Sequence, residues 1–329
     1  MPNLPELWAH PNRVTRGGKR NLTDLEAFVS VIDHGSIVGA SAALHLTQSA
    51  VTRRIQNLED VLGLPLLDRQ TRPLQPTRAG SETYAFAKPV LSSVRDLKTA
   101  VMLNGEPSGE LRFGISRGLG DIALIAPIRS VRSQFPKVRL QRFVQWSATL
   151  LEQLASGALD AAVISLPEES TPPSSYAAEL ISTELIVVVA GKSTKLSQPS
   201  TLEELASHPW LLNPPTCATR QLLETALTQR GLPLISSVES EGYDLKFTLI
   251  ADGIGLGLVL PQLPRTSPLR KHLKIVKVKD FAPRLNVWLL HSRHIGRLAP
   301  AVQCLRDAVQ KSLKGKTNGG SRRRLAVPL

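Results

Sequence analysis

The chain has only two cysteines in 329 residues, Cys217 and Cys304. That is too few for a disulfide framework or a cysteine-rich zinc site, so each reads first as a small buried hydrophobe. Aromatic residues make up only 4%, which excludes a surface of stacking platforms for single-stranded nucleic acid. Trp146, Trp210 and Trp288 are expected in the core or lining a cleft. No run approaches the ~18 uninterrupted apolar residues of a membrane helix, and "MPNLPELWAHPNRVTRGGKR" lacks the charged-then-apolar order of a secretory signal. These absences point to a cytoplasmic protein. A 42% hydrophobic content over this length predicts two or three compact units, each with its own core.

Acid is scarce too: 27 Asp and Glu stand against 40 Lys and Arg, a net charge of +13. The excess favours anionic partners, but its distribution matters more than its total. Much of it lies at the ends, where residues 1–20 read as a flexible basic leader and residues 314–329 as a flexible basic tail. Residues 21–80 hold five arginines against six acids. Any binding of nucleic acid by that stretch must be argued from where its charges sit.

The stretch 21–78 reads as three short helices and a wing. "LTDLEAFVSVIDHG" opens with a capping box, Thr23 to Glu26, places Leu25, Phe28, Val29 and Ile32 on one face, and stops at Gly35. "SIVGASAALHL" predicts a second helix capped by Ser36, with Ile37, Ala40 and Leu44 inward. The third, "LTQSAVTRRIQNLEDVLG", is capped by Thr47 and ends near Gly63. The Pro-broken "LPLLDRQTRPLQPT" suits a short hairpin, which makes the whole a winged helix-turn-helix. Residues 79–108 form a linker: a long helix with Thr83, Ala87, Val90, Val94, Leu97 and Val101 at heptad-like spacing, then "EPSG". Pro89 inside that helix predicts a bend or a break.

On the third helix Val51, Ile55, Leu58 and Leu62 share one arc, and Arg53 lies nearly opposite, with Ser49, Thr52 and Gln56 beside it. Gln48, Ser49 and Thr52 occupy the first turns, where free amides favour phosphate and where a recognition helix enters the major groove. Arg53 and Gln48 have the chemistry to read guanine or adenine edges, and Ser49 and Thr52 to touch backbone or a thymine methyl. Arg54 projects toward the flank of the apolar arc, suited to phosphate contact or packing. A solvated helix face explains the same pattern equally well.

From residue 35 to residue 80 the chain reads "GSIVGASAALHLTQSAVTRRIQNLEDVLGLPLLDRQTRPLQPTRAG". This resembles the signature of the LysR-type transcriptional regulators, in which "GSF-T-AA--L--SQPA-S--I--LE--LG--LF-R" is followed by a wing ending in "LT-AG". The resemblance runs from Leu22 to about residue 313. Val38, Ser41, Ser49 and Leu67 depart from the family's usual residues. The resemblance implies DNA contacts at Thr47, Gln48, Ser49, Thr52 and Arg53, with a basic wing position at Arg69 or Arg72. It also implies a homodimer or homotetramer on an interrupted dyad operator of double-stranded DNA.

From residue 109 to residue 313 strand and helix alternate, which predicts an α/β segment with mainly parallel sheets, two lobes and a cleft at the carboxyl ends of the strands. The resemblance implies a periplasmic-binding-protein-like effector domain. Its cleft would be formed by Ser116 and Arg117, then Trp146, Ser147 and Thr149, then Asn213, Thr216 and Cys217. Helix starts with free amides, plus Arg117, suit a small anion such as a carboxylate. Helix-capping loop residues are an equally common source of such a pattern.

"GISRG", residues 114–118, matches the G-x-S-x-G of a hydrolase elbow, and Asp244 or Asp252 with His291 or His294 would complete an order of Ser, Asp, His. The elbow of that fold follows several strands, whereas everything before residue 110 reads as helical, so a serine hydrolase is disfavoured. "HSRH" lacks the acidic or cysteine partners of a metal site. "GIGLG" ends a helix and opens a strand, the reverse of a dinucleotide fingerprint. The sequence therefore predicts a regulator with no catalytic residues, metal or cofactor.

Overall fold

The computed structural model describes residues 18–101, 106–293 and 295–317. Most of the basic leader, the last twelve residues of the basic tail and His294 lie outside the described residues. The chain divides into two compact units, Met1–Arg95 and Asp96–Leu329.

The first unit contains α1 (Gly18–His34), α2 (Ile37–Leu44), α3 (Gln48–Leu62), two short strands β1 (Leu67–Asp68) and β2 (Gln75–Pro76), and the start of α4 (Arg78–Val101). Ser36 caps α2 by accepting from the Gly39 amide, and Thr47 caps α3 by accepting from Ala50. α3 ends where Gly63 takes a left-handed φ of 70°. The start of α1 differs from the expected capping box: Thr23 lies inside the helix, because nothing from Lys19 to Leu22 breaks the helical backbone. Phe28 and Val31 of α1, Ala40 of α2, Val51, Ile55 and Leu58 of α3, Leu66 beside the wing and Ala87 of α4 form one buried core. β1 pairs antiparallel with β2, and Leu74 donates its amide to the Gly35 carbonyl at 3.0 Å, which ties the wing to the turn between α1 and α2.

Of the bend or break expected at Pro89, the break does not occur: α4 runs through it. Pro89 and Ala85, whose carbonyl loses its helical donor there, are both exposed, where solvent can replace the lost donor.

The second unit continues in chain order with β3 (Gly109–Ser116), α5 (Arg117–Ala123), α6 (Ile125–Gln134), β4 (Val138–Gln145), α7 (Ser147–Ala155), β5 (Ala161–Pro167) and β6 (Ala177–Leu185). Then come β7 (Val187–Gly191), α8 (Leu202–Ala206), β8 (Trp210–Leu212), α9 (Ala218–Gln229), β9 (Ser236–Glu239), α10 (Tyr243–Ala251), β10 (Gly257–Val259), α11 (Gln262–Thr266) and β11 (Leu273–Val276). β12 (Arg284–His291) and α12 (Ala299–Thr317) complete it. One lobe holds the sheet β4-β3-β5-β12-β6; the other holds β10-β7-β11, joined to the pair β8-β9 through a bridge from Trp210 to Leu256.

The sheets are mixed, where the alternation predicted mainly parallel ones. β3 runs parallel to β4 and β5, but β12 is antiparallel to β5 and β6, and β7 is antiparallel to β10 and β11. The cause is the double crossing between lobes. The apolar run "ELIVVVAG" divides at Ile186 into the end of β6 and β7, and the chain returns through Pro283 into β12. The Ile186 amide donates to the Pro283 carbonyl at 2.9 Å, so the two crossings are tied together. One hydrophobic core runs through both lobes. Among the described residues, no helix is long and apolar enough to cross a membrane.

Candidate functional site

In the first unit α3 buries Val51, Ile55 and Leu58 and leaves Thr47, Gln48, Ser49, Arg53 and Gln56 exposed. The arc read from the sequence packs at Val51, Ile55 and Leu58, but Leu62, in the last turn of α3, is 44% exposed. Thr52 is half-buried and donates to the Gln48 carbonyl at 2.9 Å, while Ser49 and Thr47 share a hydroxyl contact of 3.0 Å. Arg53 and the Gln48 side chain have no partner among the described residues. Arg54 is half-buried and donates to the Thr23 carbonyl at 3.5 Å, so it braces α3 on α1. The wing cations differ. Arg69 is ion-paired with Glu59 at 3.0 Å, and the same carboxylate accepts from the Leu66 amide at 2.8 Å. Arg72 is exposed and has no partner among the described residues. A groove of about 270 Å³ lies between α3 and the wing, lined by Thr52, Arg69 and Arg72 over an apolar floor of Ile55 and Leu67.

In the second unit a cavity of about 30 Å³ sits at the carboxyl ends of β3 and β5, where the two lobes meet. Ser116, Arg117, Trp146, Ser147 and Cys217 line it, as expected. Thr149, Asn213 and Thr216 do not: Thr149 is half-buried, Thr216 is exposed, and Asn213 is buried one layer behind the wall. Ser165, Thr219 and Tyr243 line it as well. The sequence carried no local signal for Ser165 or Tyr243. Thr219 was legible only as a second hydroxyl at the start of α9.

The hydroxyls are largely consumed inside the fold. Ser147 donates to the Ser165 carbonyl at 2.9 Å and accepts from its amide at 3.1 Å, which pins α7 to β5. Ser116 Oγ lies 3.1 Å from Ser165 Oγ. The free donors are elsewhere: among the described residues, Trp146 Nε1 and Arg117 Nε are both buried without a partner. The Arg117 guanidinium sits 5.2 Å over the Trp146 ring and 3.7 Å from the Glu241 carboxylate. Arg117 also lines a second cavity of about 360 Å³ with Asp121, Glu241 and Asp244. Burial raises the Asp121 carboxyl above its ordinary value, with Arg117 opposing and Asp244 adding to the rise.

The wall contributed by the other lobe is polar. Asn213 Nδ2 donates to Cys217 Sγ and to Thr219 Oγ1, each at 3.3 Å, and its Oδ1 accepts from Lys246 Nζ. Lys246 is 1% exposed, and the sequence reading did not single it out.

A hydrolase elbow does not fit this geometry. Ser116 is bonded to another serine. His291 pairs with Ala161 at the far end of β5, four residues along β12 from Val287, the partner of Ser165, which is about 13 Å at the rise of a strand. Among the described residues there is no group of three or more His, Cys, Asp or Glu that could hold a metal ion.

Residues 22–81 match the family described as "Bacterial regulatory helix-turn-helix protein, lysR family", and residues 104–314 match "LysR substrate binding domain". The chain is 25% identical over 294 residues to the RuBisCO operon transcriptional regulator of Allochromatium vinosum, covering 88% of this chain and 95% of that protein. It is 29% identical over 238 residues to the HTH-type transcriptional regulator CzcR of Bacillus anthracis, covering 72% of this chain and 79% of that one. Its fold is similar to a full-length OxyR variant from Pseudomonas aeruginosa, with a TM-score of 0.70 at 19% identity over 92% of this chain and 96% of that chain. It is also similar to full-length CbnR complexed with its target DNA, with a TM-score of 0.59 at 17% identity over 88% of this chain and 99% of that chain. An N-terminal winged helix-turn-helix followed by a two-lobed substrate-binding domain, matched along most of the chain, makes this protein a member of the LysR family of DNA-binding transcriptional regulators.

Proposed function

We propose that the exposed face of α3 reads operator DNA from the major groove, and that a small anion held between the lobes changes how copies of the chain engage it. Thr47, Gln48, Ser49, Thr52 and Arg53 form the reading face. The observation that supports this most directly is the exposed, unpartnered pair Arg53 and Gln48 opposite the buried face of α3. Arginine is suited to guanine O6 and N7, and glutamine to adenine N6 and N7. Of the two wing arginines Arg72 is the phosphate ligand, since Arg69 is already held by Glu59. α4 exposes Phe86, Val90 and Leu97, apolar side chains suited to a second copy of the same helix, which fits a dimer on an interrupted dyad.

Arg53→Ala is expected to weaken operator binding by about 1–3 kcal/mol and to relax discrimination at one base position of each half-site. Arg72→Ala is expected to weaken all sequences alike and to lower the salt slope by about one. Fluorescence anisotropy over a panel of single-base operator variants measures both, and an Arg53→Ala protein that binds like the parent overturns the placement of α3.

The effector reading rests on Trp146 Nε1 and Arg117 Nε, buried donors without partners beside the cavity. A carboxylate offers acceptors only, which is what those donors lack. The lobes as they stand leave about 30 Å³, so a ligand of more than a few atoms seats as they part. A thermal-shift screen of carboxylates on the full chain is expected to find a stabilising compound whose effect is lost in Arg117→Ala. Adding that compound is expected to change operator affinity about 5–150-fold, the usual scale of coupling between two sites. Equal stabilisation of parent and Arg117→Ala by every hit would place the ligand elsewhere.

A further inference from the structure

Lys246 is the least expected charge in the molecule. It is 1% exposed, and among the described residues no carboxylate contacts its amine. A buried ammonium without an anion is unfavourable unless it finds a partner or gives up its proton. Lys246 Nζ donates to Asn213 Oδ1 and stands 5.9 Å from the centre of the Tyr243 ring. An ammonium carries donors only, so it dictates the orientation of the Asn213 amide: oxygen toward Lys246, NH2 toward Cys217 and Thr219. Cys217 and Thr219 both line the cavity, at the start of α9, where the first amides lack helical acceptors. Across the cavity stands Trp146 Nε1, buried and unpartnered. Cys217 Sγ and Thr219 Oγ1 lie 3.2 Å apart, so one donates to the other and one S–H or O–H is left for the cavity: that wall carries a relay ending in a single donor and backed by a buried charge, and Trp146 of the other lobe carries the unpartnered N–H.

We infer that Lys246 is the buried counter-charge of this cleft: acting through Asn213, it makes the wall at Cys217 and Thr219 select a small oxyanion, and its protonation couples binding to pH. The inference rests on the effector reading above and adds the group that sets its charge preference. Among the described residues the titratable groups facing Lys246 are Cys217 at the start of α9 and Tyr243 on its own helix; β10 meets it with the backbone of Gly257, β7 and β8 beneath α10 carry no titratable group, and Lys274 of β11 donates to the Thr194 carbonyl. Burial lowers the Lys246 amine to about 8 from its ordinary 10.5, with Cys217 opposing. An anion in the cleft favours the protonated form and raises that value. Anion affinity therefore falls as pH rises through 8, approaching tenfold per pH unit while the amine is neutral in the free protein and charged in the complex.

The test uses the full chain with 13Cε-labelled lysine, acetate as probe and acetamide as its neutral isostere. One lysine signal, absent in Lys246→Met, is expected to titrate near 8 and to move to higher pH with acetate but not with acetamide. The acetate Kd is expected to rise about tenfold or more from pH 7 to pH 9.5 in the parent, and to be weak and independent of pH in Lys246→Met. Should Lys246→Met fold poorly, Asn213→Ala keeps the charge, cuts the relay, and is expected to lose acetate. A Lys246 signal that titrates at 10.5, a parent Kd independent of pH, equal binding of acetate and acetamide, or no acetate binding at all overturns the inference. Failure of the effector reading looks different: acetate shifts the Lys246 titration, yet no cleft ligand changes operator affinity.

Discussion

Between pH 8 and pH 10.5 the parent protein is expected to gain stability relative to Lys246→Met, by an amount on the order of 3 kcal/mol. Burial lowers the amine to about 8 in the folded chain, against 10.5 when it is solvated. Below pH 8 it is charged in both states, and the full cost of the buried ammonium weighs on the folded protein. Within the window the unfolded chain binds more protons than the folded one, so the free energy of unfolding rises with pH. Above 10.5 the amine is neutral in both states and the cost is gone. Methionine has nearly the same length and does not titrate, so the difference between the two proteins isolates this one group. Losing the donor to Asn213 costs the variant a roughly constant amount across the window. Urea unfolding at pH 7 and pH 10, followed by the fluorescence of Trp146, Trp210 and Trp288 in the second unit, measures the difference. A flat difference would mean that the amine is solvated.

Gly80→Ala is expected to destabilise the DNA-binding unit by roughly 3 kcal/mol or more, and with it to abolish operator binding. A Cβ at Gly80 would lie 2.0 Å from the Leu66 carbonyl oxygen, 2.9 Å from its carbon and 3.2 Å from Pro76 Cβ. The oxygen is backbone and cannot swing aside. It accepts from the Thr77 amide at 3.0 Å, the Leu66 side chain is fully buried, and the Leu66 amide is held by Glu59. The start of α4 would have to lift off the wing, taking Ala87 out of the core it shares with Phe28 and Ile55. Thermal unfolding and operator binding of Gly80→Ala check this. A variant that melts and binds like the parent would show that α4 and the wing approach less closely than described.

Much of the first unit was legible because its signals are local. The caps at Ser36 and Thr47, the stop at Gly63 and the 3.6-residue spacing of Val51, Ile55 and Leu58 all act within a turn or two of the chain, and the fold uses each of them. They suffice to say which side of α3 packs, and therefore which side is left exposed. The "TRAG" that closes the wing was legible as a family anchor, but its reason, the Leu66 carbonyl against Gly80, lies fourteen residues away in sequence.

In the second unit, the family resemblance implied which helix starts surround the cleft, while alternation revealed the two α/β lobes. It did not reveal that β6 and β7 part at Ile186, or that β12 returns antiparallel between β5 and β6. Nor could it separate Thr216, exposed in a loop, from Thr219, which is turned into the cavity one residue after α9 begins. Ser147 was placed in the cleft and lines it, but Ser165 on a strand eighteen residues away accepts from its hydroxyl and donates to it. Lys246 is the sharpest case. Its charge argues for solvent, and only the packing of α10 over β7, β8 and β11, with Asn213 and Gly257 against the side chain, encloses it. Caps and amphipathic faces are decided within a few residues, so sequence determined them; strand direction across a double crossing, and which polar groups meet at its centre, depend on partners far along the chain, so only the tertiary structure decided them.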